Sequence, residues 1–398
     1  MQFFSNSVND TQMQEMSNNT TASPAEFGSI VFHRYSTAEL LETFAPLGPY
    51  SEKFIPPLWY AVGFVCNPAS AVIWLGRRMR RNNSSAIYLG ALSISDLIFL
   101  FLHLLYTLHG AWGYRTYNTS AASCATFMFF YYTPQYLSTL LVLGFTVERY
   151  VAVCHPFQKE KWCTVRRACV IVCVLLFFSA AVASAQIYFW TYTPDHGACH
   201  YRQAATEGDA ASFVNIWSWV SDLLIFGAIP LIVLCFNALV LKEICKLAKN
   251  GVVSRQSGSA STTASTVTLL SVSFFLIITQ LTATVVFCME TLFPHGDIMM
   301  TDEEIREDPT WSKMFSYLES RKIIECLCLS HFALYFAIYC LTGKHFRKEV
   351  LYMLTCCGRF RSFQDSFSRK HNGEKYSMVS SNGHLMSETC TTTFTTNF

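Results

Sequence analysis

Glu148-Arg149-Tyr150-Val151-Ala152-Val153-Cys154-His155-Pro156-Phe157 is the stretch on which the reading of this chain turns. It closes a long apolar run that opens near Cys124. From Cys124 to Arg149 is 25 residues, roughly 37 Å of α-helix. A bilayer core is roughly 30 Å thick, so such a helix puts the cysteine at one water boundary and the arginine at the other. A charged side chain held in lipid is costly. The Glu148-Arg149 pair therefore belongs at an interface, where it either does something or merely anchors the helix.

Working outward, the composition agrees with a membrane protein. The chain is 52% hydrophobic and 14% charged over 398 residues, where a soluble domain is nearer a quarter charged. Seven apolar runs of spanning length fall at roughly 55–75, 86–108, 122–153, 167–190, 214–243, 265–293 and 318–341. Short loops carry Lys and Arg unevenly. Arg77, Arg78, Arg80, Arg81, Lys159, Lys161, Arg166, Arg167, Lys242, Lys246, Lys249 and Arg255 lie on one side, against Arg115, Arg202, Arg306 and Lys313 on the other. The richer side faces the cytoplasm, so the N-terminus is expected outside, with the chain multi-pass in the plasma membrane. The organisation read from this is an outer tail over 1–54, a helical bundle over 55–355 and a cytoplasmic tail over 356–398. No signal peptide is recognisable in the first 50 residues. Asn9, Asn18, Asn19 and Asn118 sit in glycan acceptor patterns on the outer side; Asn82 and Asn83 match too but fall in an inner loop. Cys124 and Cys199 are the cysteines that fall clearly on the oxidising side, where a pair is expected to bond; two free thiols are the alternative.

The ten residues around Arg149 resemble the E/DRY-x-AVxxP signature of the rhodopsin-like G-protein-coupled receptors. That family's fold, an all-α seven-transmembrane helix bundle followed by a short amphipathic eighth helix, is what the resemblance implies here. It also implies that Glu148 restrains Arg149 until a heterotrimeric G protein binds, with Tyr150 and Tyr339 in the same coupling region. The outer Cys124 would bridge to Cys199 in the second outer loop. Leu92-Ser93-Ile94-Ser95-Asp96-Leu97 resembles the LAxAD motif, whose Asp holds sodium in the family; Asn67 and Ser138 match its neighbouring polar positions. The alternative is a plain buried hydrogen-bond cluster. Tyr335-Phe336-Ala337-Ile338-Tyr339 resembles NPxxY, with Tyr and Phe in place of Asn and Pro. Phe346, Val350, Leu351 and Leu354 then recur on one helical side, as in a helix lying on membrane lipid, and Cys356 and Cys357 end it as palmitoylation candidates. Span 6 departs further, since 265–293 lacks both Trp and Pro and carries Thr279-Gln280-Leu281-Thr282 where CWxP is expected.

Counting back from Arg149 puts Tyr131 and Tyr132 at the level of the family's outer pocket. An amine receptor would carry Asp at Tyr131, and an opsin would carry Lys at Leu329, so neither ligand is expected. Asp222, Glu290 and Glu325 are acidic residues in or beside apolar runs. With Tyr106, Tyr131, Tyr132, His103 and Gln135 they suggest an acidic, aromatic cup for a cationic peptide end, because guanidinium pairs with carboxylates and stacks on rings. The loop before span 7 adds Asp297, Asp302, Glu303, Glu304, Glu307 and Asp308, either as part of that cup or as a solvated surface. Tyr339 to Glu349 is similar to invertebrate neuropeptide receptors of the FMRFamide-like group. The Ser/Thr-rich tail resembles arrestin-recruiting tails, and Thr396-Asn397-Phe398 fits a PDZ ligand. No cofactor, nucleic-acid partner or catalytic chemistry is expected. A receptor for a small chemosensory molecule is the alternative within the fold. A seven-span transporter or channel is the alternative outside it, and a transporter would need repeat symmetry and discontinuous spans.

Overall fold

The apolar runs fold as helices, in a computed structural model that describes residues 31–81, 83–193, 198–207, 211–249 and 259–355. Six helices are long and apolar enough to cross a bilayer: span 1 Leu47–Leu75, span 2 Ser85–Gly110, span 3 Ala121–Cys154, span 4 Val165–Phe189, span 5 Phe213–Leu247 and span 6 Thr266–Leu292. Span 7 is a pair, Pro309–Cys328 and His331–Thr342, bent by 43° at the break. Span 3 is the axis. Its capping box at Ser120 and Ser123 starts it, and Leu140, Leu141, Val142 and Phe145 are buried at its middle. Span 4 is peripheral, with 17% of its apolar window buried; exposed Val170, Val174 and Phe177 are what a lipid-facing surface requires. Gly63 lets span 2 come close, since a Cβ there would collide with Leu100.

Spans 1 and 7 begin about two turns before their apolar runs do. Glu52, Lys53, Lys313, Glu319, Arg321 and Lys322 interrupt the hydropathy pattern without interrupting the helices. Several of them pair across the two spans: Lys322 Nζ lies 3.1 Å from Glu52 Oε2, and the Leu47 amide donates to Glu319 Oε1 at 3.0 Å. Residues 47–54, expected in the outer tail, are therefore the first turns of span 1.

The break in span 7 occurs without proline. Ser330 N–H donates to the Leu327 carbonyl and Phe332 N–H to the Leu329 carbonyl, so the carbonyls of Cys326 and Cys328 lose their helical donors. Side chains replace them. Trp59 Nε1–H donates to Cys326 O at 2.9 Å, and His331 Nδ1–H donates to Cys328 O at 2.7 Å. A buried carbonyl left bare costs roughly 1–3 kcal/mol, so these two bonds make the bend tolerable. Span 5 shows the same logic. Its helix widens to a π turn over Leu223–Ala228 just before Pro230, which has no N–H to give. The Phe226 carbonyl, one turn before Pro230, instead accepts from Thr284 Oγ1 of span 6 at 2.8 Å. Span 6 has no such defect and runs as one α-helix, Ser259–Cys288.

At the Cys124 end, strands β1 (Trp190–Thr193) and β2 (Ala198–Tyr201) pair antiparallel. The Cys124–Cys199 disulfide ties β2 to the start of span 3, with Cα atoms 5.7 Å apart. Tyr117, Phe127, Met128, Phe189 and Trp190 are buried together beneath the hairpin. Residues 31–45 form short helices, Val31–Arg34 and Thr37–Phe44, that pack on the loop between spans 6 and 7. Val31, Leu40, Ala45, Ile305, Trp311, Met314 and Phe315 share one buried cluster, each large side chain contributing about 1.5–3 kcal/mol. At the opposite end Gly343 turns the chain into helix Lys344–Leu354; a Cβ on it would stand 2.7 Å from the Tyr339 carbonyl. The first compact unit of the chain ends at Phe346, and the rest of that helix belongs to a second unit.

Candidate functional site

Two sites lie at opposite ends of span 3. Toward the disulfide end a cavity enclosing about 990 Å³ of non-atom space, its open mouth included, is lined by spans 1, 2, 3, 5, 6 and 7. Of the expected ligand residues, Tyr106, Tyr131, Tyr132, Gln135 and Glu325 line it. Asp222 and Glu290, expected in the same acidic cup, are not among the lining residues. Rings make one wall: Tyr131 stands 5.4 Å from Tyr106, 5.5 Å from Phe99 and 5.5 Å from Tyr132, centroid to centroid. His103, also in the wall, is held by the Tyr60 hydroxyl at 2.6 Å. Toward the floor Gln280 Nε2–H donates to Thr139 Oγ1 at 2.7 Å, joining span 6 to span 3 in the region where the resemblance expected Trp.

The charges form a network that sequence reading did not anticipate. Arg321 Nε–H donates to Glu325 Oε1 at 2.9 Å, and Nη1–H to Glu290 Oε2 at 2.7 Å. Its side chain is 7% exposed. Arg321 also stacks over Phe287. Glu52 and Lys322 bring a second pair into the cavity wall. The i,i+4 spacing of Arg321 and Glu325 was the available signal; nothing local marks Glu52 or Glu290 as their neighbours.

The acidic loop before span 7 is largely committed to structure. Asp308 Oδ1 accepts from the amides of Thr310 and Trp311, capping span 7. Asp297 Oδ1 accepts from the Met299 amide. Asp302 binds Arg34 at 3.2 Å and the Tyr35 hydroxyl at 2.7 Å. Glu304 closes a capping box with Thr301, whose amide and hydroxyl hold its carboxyl below the usual range. These four carboxylates are thus withdrawn from the expected cup.

At the other end Glu148 Oε1 accepts from Ser84 and Ser85 hydroxyls at 2.7 and 2.8 Å. Arg149 Nη2 lies 3.3 Å from the same oxygen and donates to Ser85 Oγ. Both serines, 63 and 64 residues from Glu148, were invisible to pattern reading. Tyr150 packs on Phe236 and His155. Tyr339 is fully buried, each of Trp74 and Phe346 standing 5.2 Å away. Between the ends, Asp96 is buried and Oδ1 accepts from Ser138 at 2.7 Å, while Oδ2 has no partner among the described residues. Asn67 turns away to the Phe332 carbonyl at 2.8 Å. That bond uses the Asn67 amide nitrogen; Asp96 and Ser138 are the members of the expected polar core that bond each other directly. Asn118 is 1% exposed and its Oδ1 accepts from the Thr116 amide at 3.2 Å. Asn9, Asn18, Asn19, Cys356 and Cys357 lie outside the described residues.

A seven-span bundle with an open cavity at one end and a restrained arginine at the other defines a membrane receptor. The chain belongs to the 7 transmembrane receptor (rhodopsin) family, whose family model matches residues 69–342, a family of receptors and not of enzymes. It is 28% identical over 234 residues to purinoceptor 4 of Homo sapiens, covering 56% of this chain and 62% of the relative. To growth hormone secretagogue receptor type 1 of Sus scrofa it is 25% identical over 173 residues, 42% of this chain and 46% of the relative. To C-C chemokine receptor type 1 of Homo sapiens it is 24% identical over 314 residues, 75% and 79%. The chain thus spans only 62% and 46% of the first two of these relatives.

Proposed function

We propose that this chain is a G-protein-coupled receptor of the plasma membrane, N-terminus outside, that answers to a cationic peptide. One observation carries the ligand charge. A partly buried network beside the outer cavity holds three carboxylates, Glu52, Glu290 and Glu325, against two cations, Arg321 and Lys322. One positive group is missing from the balance. A ligand ammonium or guanidinium beside Glu52 and Glu325 supplies it, with Tyr106, Tyr131 and Tyr132 as apolar walls and cation–π partners. Relatives named for a growth hormone secretagogue, a chemokine and neurotensin support a peptide over a nucleotide, although a purinoceptor is among the matches. Arg149, held by Glu148 and Ser85, is the group a G protein would take over, as the signature's resemblance implies.

The test is a panel of basic and neutral amidated peptides on cells expressing the chain, read by calcium and cAMP. The expected agonist is basic. Glu325→Gln should weaken it about a hundredfold, near the lower end of the ~3–5 kcal/mol that unpairing a buried ion costs. Glu303→Gln, on the exposed loop, should not. An agonist without a positive group, or one indifferent to Glu325→Gln, removes the cationic reading and leaves the receptor assignment standing.

A further inference from the structure

Two buried acceptors in the lining of the outer cavity have nothing to accept from. His331 lines it at 5% exposed. Its Nδ1 lies 2.7 Å from the Cys328 carbonyl. A carbonyl only accepts, so the proton sits on Nδ1 and the Nε2 of the uncharged ring is an acceptor. That Nε2 has no partner among the described residues. Gln280, 4% exposed, lines the same cavity from span 6. Its amide N–H is taken up by Thr139 Oγ1, and its Oε1 has no partner among the described residues. Both stand inward of the charged network. His331 is six residues past Glu325 along span 7, and Gln280 ten residues before Glu290 along span 6. A buried acceptor left bare is costly, so the floor carries two unmet demands for a donor.

We propose that the floor of the outer cavity holds a primary carboxamide of the ligand, which donates one N–H to His331 Nε2 and the other to Gln280 Oε1. The chemistry selects that group. A primary carboxamide places two N–H donors on one nitrogen, whereas a hydroxyl or a secondary amide brings one. It is uncharged, and the floor asks for an uncharged group: Glu52 and Glu325, the lining carboxylates among the described residues, stand toward the mouth, and an ammonium buried away from them would be left unpaired. A carboxylate would bring acceptors alone to two acceptors. Gln135, also in the lining, has an amide with which to donate to the carboxamide oxygen. The inference rests on the outer cavity being the ligand's site, but not on the ligand's charge. It makes His331 and Gln280 residues that set specificity for the ligand's end group, apart from the charged contact nearer the mouth.

The test compares end groups of one shape. Acetophenone is benzamide with a methyl in place of the amide nitrogen, and a peptidyl methyl ketone stands in the same relation to a peptide carboxamide. Benzamide, acetophenone and benzoate are titrated against the full chain in detergent and read by saturation-transfer NMR. The basic peptides of the panel are made as carboxamide, methyl ketone and free acid, and their affinities are measured on the same preparation. Benzamide should bind in preference to acetophenone, and peptide carboxamides should bind about a hundredfold tighter than ketones, at about tenfold per hydrogen bond. His331→Asn keeps a donor where Nδ1 stands and removes Nε2. Gln280→Met keeps the length and removes the amide. Each should cut the preference to about tenfold by weakening the carboxamide and leaving the ketone unchanged. A residue that only shapes the cavity would weaken both forms alike, so the cycle of variant against end group isolates the bond, and either variant reads it where the other fails to fold. Equal binding of carboxamide and ketone in both arms, a preference untouched by both variants, or tighter binding of the acid overturns the proposal. A benzamide preference with no response to any basic peptide keeps this floor and removes the cationic reading. Basic peptides that depend on Glu325 and are indifferent to their end group keep the cationic reading and refute this one.

Discussion

Arg149 is held directly by Glu148 and Ser85, with Ser84 bracing the Glu148 carboxylate, and only Glu148 is its sequence neighbour. Glu148 lies beside it in the chain. Ser84 and Ser85 arrive from the start of span 2 and hold the Glu148 carboxylate, and Ser85 takes an Arg149 proton as well. Hydrogen bonds to charged groups are worth about 1.5–3 kcal/mol each, so the serines stiffen the pair more than its 3.3 Å ion contact alone would. Ser84→Ala with Ser85→Ala is expected to raise basal nucleotide exchange about fivefold, measured on purified G protein with receptor amount matched. A fall or no change would place the restraint elsewhere. The adjacent Glu-Arg pair was legible because it breaks an apolar run. The serines were not, because Ser in a helix start is unremarkable and only tertiary packing brings it across. The same distinction separates Glu325 and Glu290, legible as acidic residues in or beside apolar runs, from Glu52 and from the pairing of all three with Lys322 and Arg321, which only the fold brings together.

Helices were legible as apolar runs, but their ends and breaks were not. Hydropathy stopped spans 1 and 7 early because ion-paired residues read as exposed when their partners are far away in sequence. The bend in span 7 escaped because the usual marker, proline, is absent and the freed carbonyls are satisfied by Trp59 and His331 instead. Trp59→Phe keeps an aromatic side chain, deletes the N–H with its five-membered ring, and leaves the Cys326 carbonyl bare. It is expected to lower stability by about 1–3 kcal/mol, seen as a drop in thermal midpoint of the detergent-solubilised receptor; an unchanged midpoint would mean that water or a shifted bend restores the bond. The cap made by residues 31–45 and the loop before span 7 has its own pH dependence. Ser36 amide and hydroxyl hold the Glu39 carboxyl below its ordinary value of 4.5, and Thr301 does the same for Glu304. A depressed pKa stabilises the folded form above the ordinary value and ceases to do so as pH falls through the depressed one. Both helix starts should therefore lose amide protection only below about pH 4.5. Hydrogen exchange at stepped pH, corrected for intrinsic rates, measures this; loosening of the cap near neutrality would contradict it.

Across the whole molecule spans 1, 2, 3 and 6 each contribute residues to both cavities, the outer one and one at the Arg149 end, the separation being ten residues along span 2 (Leu89 to Phe99) and along span 6 (Leu269 to Thr279). Tyr131 and Tyr132 line one cavity and Arg149 lines the other, with 17 residues, roughly 25 Å of helix, between Tyr132 and Arg149. Among the described residues none lines both cavities. Communication must therefore run through a change of the bundle's state, in which an outer ligand and an inner partner each favour the same arrangement and so strengthen one another's binding. Span 6 is the element bonded to three neighbours, span 3 through Gln280, span 5 through Thr284 and span 7 through Glu290 and the Tyr317 hydroxyl, and no proline interrupts it over 265–293. This architecture separates the effects of damage at the two ends. Arg149→Ala should abolish agonist-driven nucleotide exchange while leaving agonist affinity, measured without G protein, within about twofold. Glu325→Gln should weaken that affinity about a hundredfold while leaving basal exchange alone. Sites that share no partner and lie more than about 10 Å apart add in free energy, so the double variant's affinity in the absence of G protein should equal that of Glu325→Gln. G protein should tighten agonist binding to the parent and to Glu325→Gln by the same factor, and to neither variant carrying Arg149→Ala. A G-protein effect that shrinks in Glu325→Gln would show that Glu325 takes part in the switch itself, through Arg321 and Glu290, and does more than hold the ligand.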